Sequence, residues 1–426
     1  MSEDLLFELG TEEIPPADLP DIALSFRKGL KNQLEEARLG FGEINLFYTP
    51  RRLAIKVLEL QEEQEDRVEE HRGPPEGIGL DEDGNYTVAA KKFAEGHGLT
   101  QEDLYLEDTG DGTYFFVEEK IEGSEARDLL QELLREVVKN IEQPEKMRWD
   151  DSGVQFIRPI RWVVCLLGDQ LVDLKIGDVT SSRETRGHRF HGQVKFELDS
   201  TENYQDLLEE NYVIPDPNER KDRLVAQLVE ETEELGVSQV AGEDFVDLLA
   251  NSLEYPSIVS GSFPEDYLEL PPELLFKTLT GEARLIPLVN SSGEPVASFI
   301  GFRDGSPEKA DQVRRGYESV IYARLRDSMF FYRHDREQRL EEYLEDLKTV
   351  TFQEELGSIW DKVQRMKEIS KTFSEDLEGL EPQIAERTVL LSKADLVTEV
   401  VDEFPSLEGT IGAYYAEMDG EPEAVV

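Results

Sequence analysis

Two long apolar stretches, rich in aromatic and β-branched residues, constrain this chain most: INLFYTPRRLAIKVLEL (44–60) and FIRPIRWVVCLLGDQLVDLKI (156–176). Both read as strand sequence, the first as two strands interrupted at Pro50, because branched and aromatic side chains suit a pleated, buried surface. A third strand, LLFELG (Leu5 to Gly10), precedes them. Burying all of this apolar surface is most economical in one sheet, so the strands of 156–176 are expected to rejoin those of 5–60. Residues 61–145 then form an insertion. Between the first strands lies an amphipathic helix, with Leu19, Ala23, Phe26, Leu30, Leu34 and Ala37 at the three-and-four spacing of one buried face. Pro15 and Pro16 hold the turn before it extended.

The insertion is announced by the acidic run ELQEEQEDRVEE (59–70) and by RGPPEG after it, a polar exit from the first domain. Residues 86–141 predict a small unit of their own. It holds a helix through VAAKKFAEGHG, a capping-box start at Thr100 and Asp103, a hairpin through GTYFFVEEKIEG, and a strong helix with Ala126, Leu129, Leu130, Leu133, Leu134, Val137, Val138 and Ile141 on one face. After TRGHRFHG (185–192), short helices alternate with strands to about residue 305, among them NERKDRLVAQLVEETEELG, a helix closed by Gly236. Pro215, Pro217, Pro271 and Pro272 mark joints. From Ser306 onward nearly everything reads as helix, and the last residues, GEPEAVV, carry no stop signal, as expected of a chain cut within a domain. The fold class is therefore α/β (α+β) in an N-terminal region of several subdomains, followed by an all-helical domain. The expected divisions are 1–60 plus 146–200, the inserted 61–145, a second α/β region at 201–305, and helices at 306–426.

Charge bears on partners. The chain carries 94 acidic against 45 basic residues, a formal net charge of −49, so its mean field repels a polyanion. Excess carboxylate with little lysine suits a high-salt cytoplasm. The single cysteine, Cys165, rules out an internal disulfide and every multi-cysteine metal site, and reads as a core side chain. No apolar run reaches membrane-spanning length, and Met1 to Leu9 is too acidic and short for a secretion signal, so a soluble, cytoplasmic setting is expected. Neither G-x-x-x-x-G-K-[ST] nor G-x-G-x-x-G occurs; KMRW (146–149) shares two letters with the ATP-binding KMSKS loop but has no HIGH-like partner. No catalytic residue, metal or cofactor is expected in this chain. His188 and His191 are bracketed by Gly187 and Gly192, as in a turn, and His334-Asp335 lacks the further ligands a metal phosphohydrolase needs.

What stands out is where the scarce cations gather. Lys146, Arg148, Arg158 and Arg161 form one island; Arg183, Arg186, Arg189 and Lys195 a second; residues 311–340, with seven arginines and five acids, a third. Arginine interleaved with Trp149, Phe156, Trp162 and Phe190 suits phosphate contact and base stacking; any single arginine is better explained by a salt bridge to a neighbouring carboxylate, and the two readings balance only for the islands taken together.

With these motifs in hand, LLFELGTEEIPP, YTPRRLA (48–54), KMRW with FIRPIRWVVCLLGD, TRGHRFHG, LEYPSIVSGSFPEDYLELPPELL (253–275), ARLRDSMFFY (323–332) and LKTVTFQEELGSIWDK (347–362) together resemble the β subunit of the bacterial heterotetrameric glycyl-tRNA synthetase, in family order along the whole chain. The resemblance implies an α₂β₂ ligase in which the α subunit uses ATP and magnesium to form the glycyl adenylate while the β subunit handles tRNA(Gly). It also implies that 201–305 is B3/B4-like and that 306–426 is an incomplete HD-like domain without its metal set. Candidate tRNA or partner contacts are Arg51, Arg52, Lys146, Arg148, Trp149, Arg158, Arg161, Arg183, Arg186, His188 and Arg189. Two rival readings accompany it: an HD-type or editing hydrolase, and a purely structural assembly subunit. The chain departs from the family at TGEARLIPL (280–288) and GYESVIYARL (316–325), where Ser319 and Tyr322 stand at expected basic positions.

Overall fold

The computed structural model describes residues 2–426 except Glu82, Glu282 and 377–380. The chain divides into two compact units, Met1–Asn218 and Glu219–Val426.

The first unit is organised on a five-stranded antiparallel sheet. Its elements are β1 (Ser2–Thr11), α1 (Leu19–Glu36), β2 (Ile44–Thr49) and β3 (Arg52–Gln61), then, after an excursion, β7 (Ile160–Leu167) and β8 (Gln170–Leu171), in the order β2-β3-β1-β7-β8. β1 lies at the centre of the sheet, with a continuous buried run from Leu5 to Thr11. It pairs with β3 on one side (Phe7 opposite Ile55) and β7 on the other (Phe7 opposite Cys165). Strand alternation sends Leu5, Phe7, Leu9, Val163 and Cys165 to a large core beneath the helices, and Leu6, Trp162, Val164 and Leu166 to a smaller core on the opposite face. Both faces are covered, so β1 is buried from Leu5 to Thr11.

The excursion contains β4 (Arg67–Pro75), α2 (Glu76–Gly79), α3 (Val88–Gly96), β5 (Tyr105–Asp108), β6 (Thr113–Ile121) and α4 (Ala126–Asn140). The three strands form a separate sheet, β4-β6-β5, with a core of Ala90, Ala94, Leu104, Phe115 and Val117. The helix α4, drawn inside the insertion from sequence, packs elsewhere: Leu130, Leu134, Val137 and Val138 join α1 on the large core. The large sheet leaves room for its apolar stripe beside α1. After β8, short antiparallel pairs follow, β9 (Lys175–Ile176) with β10 (Val179–Thr180) and β11 (Glu184–Thr185) with β12 (Phe196–Glu197), and then α5 (Tyr204–Glu210), which covers the smaller core through Tyr204 and Leu208. The β11–β12 pair holds the ends of the 186–195 loop together.

The second unit opens on α6 (Pro217–Leu235), β13 (Ser238–Gln239), α7 (Glu243–Ala250), β14 (Pro256–Ser262), α8 (Pro272–Thr280), β15 (Ile286–Val289) and β16 (Pro295–Asp304), with sheet order β13-β15-β16-β14. Leu224, Leu249 and Ile300 share one core; Phe299, the next residue of β16, points to the other side with Leu275 and Leu325. Helices dominate thereafter: α9 (Ala310–Asp335), α10 (Ile359–Asp376), α11 (Pro382–Leu391), α12 (Glu399–Glu403) and α13 (Thr410–Met418), with one small hairpin, β17 (Thr351–Gln353) and β18 (Gly357–Ser358), before α10. The long helix α9 starts at Ala310, not at Ser306; Ser306 Oγ accepts from the Glu308 amide and shapes the turn before it. No described helix is long and apolar enough to cross a membrane.

Candidate nucleic-acid interface

The site grows from one carboxylate in an otherwise apolar strand. Glu8 lies on the smaller-core face of β1 and has no exposure. Its Oε1 accepts from the Trp162 indole N–H and, at 2.6 Å, from the Thr185 hydroxyl; its Oε2 accepts from the Tyr204 hydroxyl and pairs with the Arg52 guanidinium at 3.4 Å. A buried charge is tolerable only when paired and hydrogen-bonded, and Glu8 has both. Burial and the Glu8 charge push the Tyr204 hydroxyl well above its ordinary pKa, so it stays a donor. Two residues along the same face, Gly10 leaves space for the Trp162 ring: a Cβ there would stand 1.8 Å from the ring's atoms.

From this core two arginines reach outward to fix the TRGHRFHG loop by its backbone. Arg52 donates to the Arg186 carbonyl at 2.6 Å, and Arg51 to the Gly187 carbonyl at 2.9 Å. Asn211 holds the other side, accepting from the His188 amide through its carbonyl and from the Gln193 amide through its side chain, both at 2.9 Å. Gly187 and Gly192 are required by close approach: Cβ atoms there would lie 2.8 Å and 2.3 Å from atoms of Asn211. His188 is buried, and its Nδ1 accepts from the Phe190 amide. The His188–His191 spacing is thus that of a tight turn.

The loop presents its charges at the end of the sheet where β1 stops. The Arg186 guanidinium stacks on Trp162, 4.6 Å from the ring centroid, and its Nε has no hydrogen-bond partner among the described residues. Desolvation there and the neighbouring Arg51 charge hold its pKa below the ordinary arginine value. Arg189 bridges Glu12 at 3.3 Å and Glu13 at 2.8 Å; Arg161 donates to Glu12 at 2.8 Å. That bond, more than any other interaction, holds the Glu12 carboxyl below the usual carboxylate range. Arg158 donates to the Glu13 carbonyl at 2.9 Å. Phe190, at the loop tip, is 81% exposed. Arg161 and Arg189 therefore pair with the Glu12 and Glu13 carboxylates, Arg158 bonds the Glu13 backbone, and Arg51 and Arg186 are within electrostatic reach of Glu12, beside an exposed aromatic ring.

The remaining sequence candidates fall elsewhere. Arg52 is fully buried and faces no solvent. Arg183 is directed away from the loop tip, clamping the carbonyls of Asp169, Leu198 and Asp199. Trp149 packs on the large core. Lys146 and Arg148 line a separate cleft of about 560 Å³ with Arg135, Lys139, Lys175, Glu132 and Glu136. Sequence reasoning missed Arg135 and Lys139, although their i,i+4 spacing near the end of a helix puts them on one face. It also missed Glu8, whose signal was a lone charge inside LLFELG. In the second unit, Tyr267, Tyr322, Arg326, Phe330 and Arg333 line a cleft of about 410 Å³ on α9, so Tyr322 contributes an aromatic wall. His334-Asp335 resolves into architecture: Asp335 is buried and accepts from the Glu399 and Val400 amides at the start of α12 and from the Tyr415 hydroxyl.

Residues 5–426 match the family described as "Glycyl-tRNA synthetase beta subunit". Curated relatives named "Glycine--tRNA ligase beta subunit" include those of Clostridioides difficile, 38% identical over the whole chain, Halothermothrix orenii, 37% identical over the whole chain, and Bacillus subtilis, 37% identical over 99% of it. The chain spans 62% of the length of each of these relatives.

Proposed function

The chain belongs to the glycyl-tRNA synthetase β-subunit family, and from that premise we propose that it is the RNA-handling part of a glycine–tRNA ligase. In this reading it holds tRNA(Gly) so that the acceptor end reaches an adenylate formed, with ATP and magnesium, on an α subunit of an α₂β₂ assembly in the cytoplasm. Its contribution is proximity and orientation: holding two reactants in place removes much of the entropic barrier without any acid or base from this chain.

One observation carries the reading. In a molecule of net charge −49, Arg51, Arg158, Arg161, Arg186 and Arg189, scattered in sequence, converge on one end of the first sheet around a rigidly tethered loop. Guanidinium groups suit the phosphate backbone because their planar forks donate two parallel hydrogen bonds to one anion. The exposed Phe190 ring offers a stacking surface for an unpaired base. The surrounding carboxylates limit binding to this face, so affinity comes from few phosphate contacts and falls with salt by a modest slope that counts them. The test is to mix the chain with its α subunit and labelled glycine tRNA, then measure complex formation and charging. A complex retaining tRNA, with glycylation that requires both subunits, supports the proposal. A chain that joins the α subunit yet neither retains tRNA nor affects charging contradicts it.

A further inference from the structure

The small three-stranded sheet carries a second cluster, remote in sequence from the arginine loop. Glu69 and His71 alternate along β4 and so share a face; Glu119 on β6 is directly opposite Glu69. His97, the residue that closes α3, comes down on the same face. Its Nδ1 is 2.9 Å from Glu119 Oε2; His71 Nε2 is 3.1 Å from that same oxygen and 3.7 Å from Glu69 Oε2. The ligand atoms of His71, His97 and Glu119 all lie within 4.8 Å of one another. His71 Nε2 is shut away from solvent without a hydrogen-bond partner among the described residues, so its approach to Glu119 lacks hydrogen-bond direction. Facing carboxylates destabilise a strand pair unless a positive charge sits between them.

We propose that His71, His97 and Glu119 bind a divalent transition-metal ion, zinc above all, with Glu69 or a water in the fourth position. Two imidazoles and a carboxylate are ligands that zinc accepts in tetrahedral geometry, whereas calcium and magnesium take oxygen shells. The rings are stacked with centroids 4.1 Å apart, and sharing an ion requires them to splay by rotation about χ2. Their partly exposed positions leave room for it, with side-chain exposures of 29% and 27%. The role is structural. Among the described residues the small sheet's own core has five buried members, Ala90, Ala94, Leu104, Phe115 and Val117, and small cores are commonly stapled by a metal. Here the ion ties the end of α3 to the β4–β6 pair.

Equilibrium dialysis of the full chain against zinc chloride, in excess magnesium to occupy exposed carboxylates, tests this. The expected result is one zinc per chain, weakened about tenfold or more by His97→Asn and by Glu119→Gln, and unchanged by His191→Asn. Absence of stoichiometric zinc, or zinc lost in His191→Asn and kept in His97→Asn, overturns it. The unsubstituted chain supplies an independent reading: on adding zinc, the imidazole resonances of His71 and His97 should shift together. Shifts confined to His188 and His191 would assign the ion elsewhere and refute the site.

Discussion

Glu8→Gln tests the foundation of the arginine loop. The amide keeps one oxygen for the Trp162 indole and the Thr185 hydroxyl but replaces the acceptor facing Arg52 with an N–H₂ group. Arg52 and Glu8 both have side-chain exposures of 0%, so the guanidinium is left charged in a dry site with the Arg186 carbonyl as an acceptor of no net charge. Removing one partner of such a pair costs about 3–5 kcal/mol. Since the pair is shielded from solvent, raising salt should scarcely change that cost, unlike that of a surface bridge. Urea unfolding followed by tryptophan fluorescence gives the stability, and amide exchange over 185–192 reports whether the loop loosens. Glu8→Gln combined with Arg52→Met should recover part of the loss, because the buried guanidinium is removed together with its carboxylate. A loss under about 1 kcal/mol, or strict additivity of the two substitutions, would refute the keystone role, since those are the marks of an exposed pair.

Four further outcomes follow from the contacts described above. Glu12→Gln should tighten tRNA binding and steepen its salt dependence, because Glu12 neutralises Arg161 and Arg189; a filter-binding titration showing weaker binding would contradict this. The same substitution bears on pH: the Glu12 carboxyl is held below its ordinary 4.5, so its stabilisation is present above that value and lost as pH falls through the lower folded value, and acid unfolding of the variant should lack this increment. Gly10→Ala should cost roughly 3 kcal/mol or prevent folding of the first unit, as the new methyl displaces Trp162 from Glu8 and Arg186; thermal unfolding close to the parent's would be inconsistent with the packing. Asp335→Ala should cost about 2–4 kcal/mol by orphaning two amides and the Tyr415 hydroxyl, whereas His334→Ala, at a half-exposed position, should change denaturant stability by under about 0.5 kcal/mol.

The parts of the fold legible from sequence are those with strong periodicity. The strands of 5–10, 44–60 and 160–167 and the face of α1 follow from alternation and from helical spacing, since each buries a continuous stripe. The packing partner of α4 was not legible, because its apolar face fits either sheet and only the room beside α1 decides. The two-residue pairs β8 to β12 leave no periodic signal at all. For the site, cation clustering pointed to the 185–192 loop but not to the direction of its side chains. Arg183, Arg186 and Arg189 look equivalent as a triplet, yet Arg183 holds three carbonyls while Arg189 reaches Glu12 and Glu13. The spacing of His71, His97 and Glu119 matches no ligand pattern in sequence; only strand register and the end of α3 bring them together.

In the proposed function a few arginines at the end of β1 bind the RNA backbone of glycine tRNA. The most direct test is the slope of log binding constant against log salt for labelled glycine tRNA, measured for the parent chain and for Arg161→Ala combined with Arg189→Ala, with Arg183→Ala as the structural comparison. Each lost phosphate contact should lower the slope by about 0.7 to 0.9, so the double variant should bind more weakly with a visibly shallower slope. A slope unchanged within error, with the folded state intact, would show that tRNA is held elsewhere.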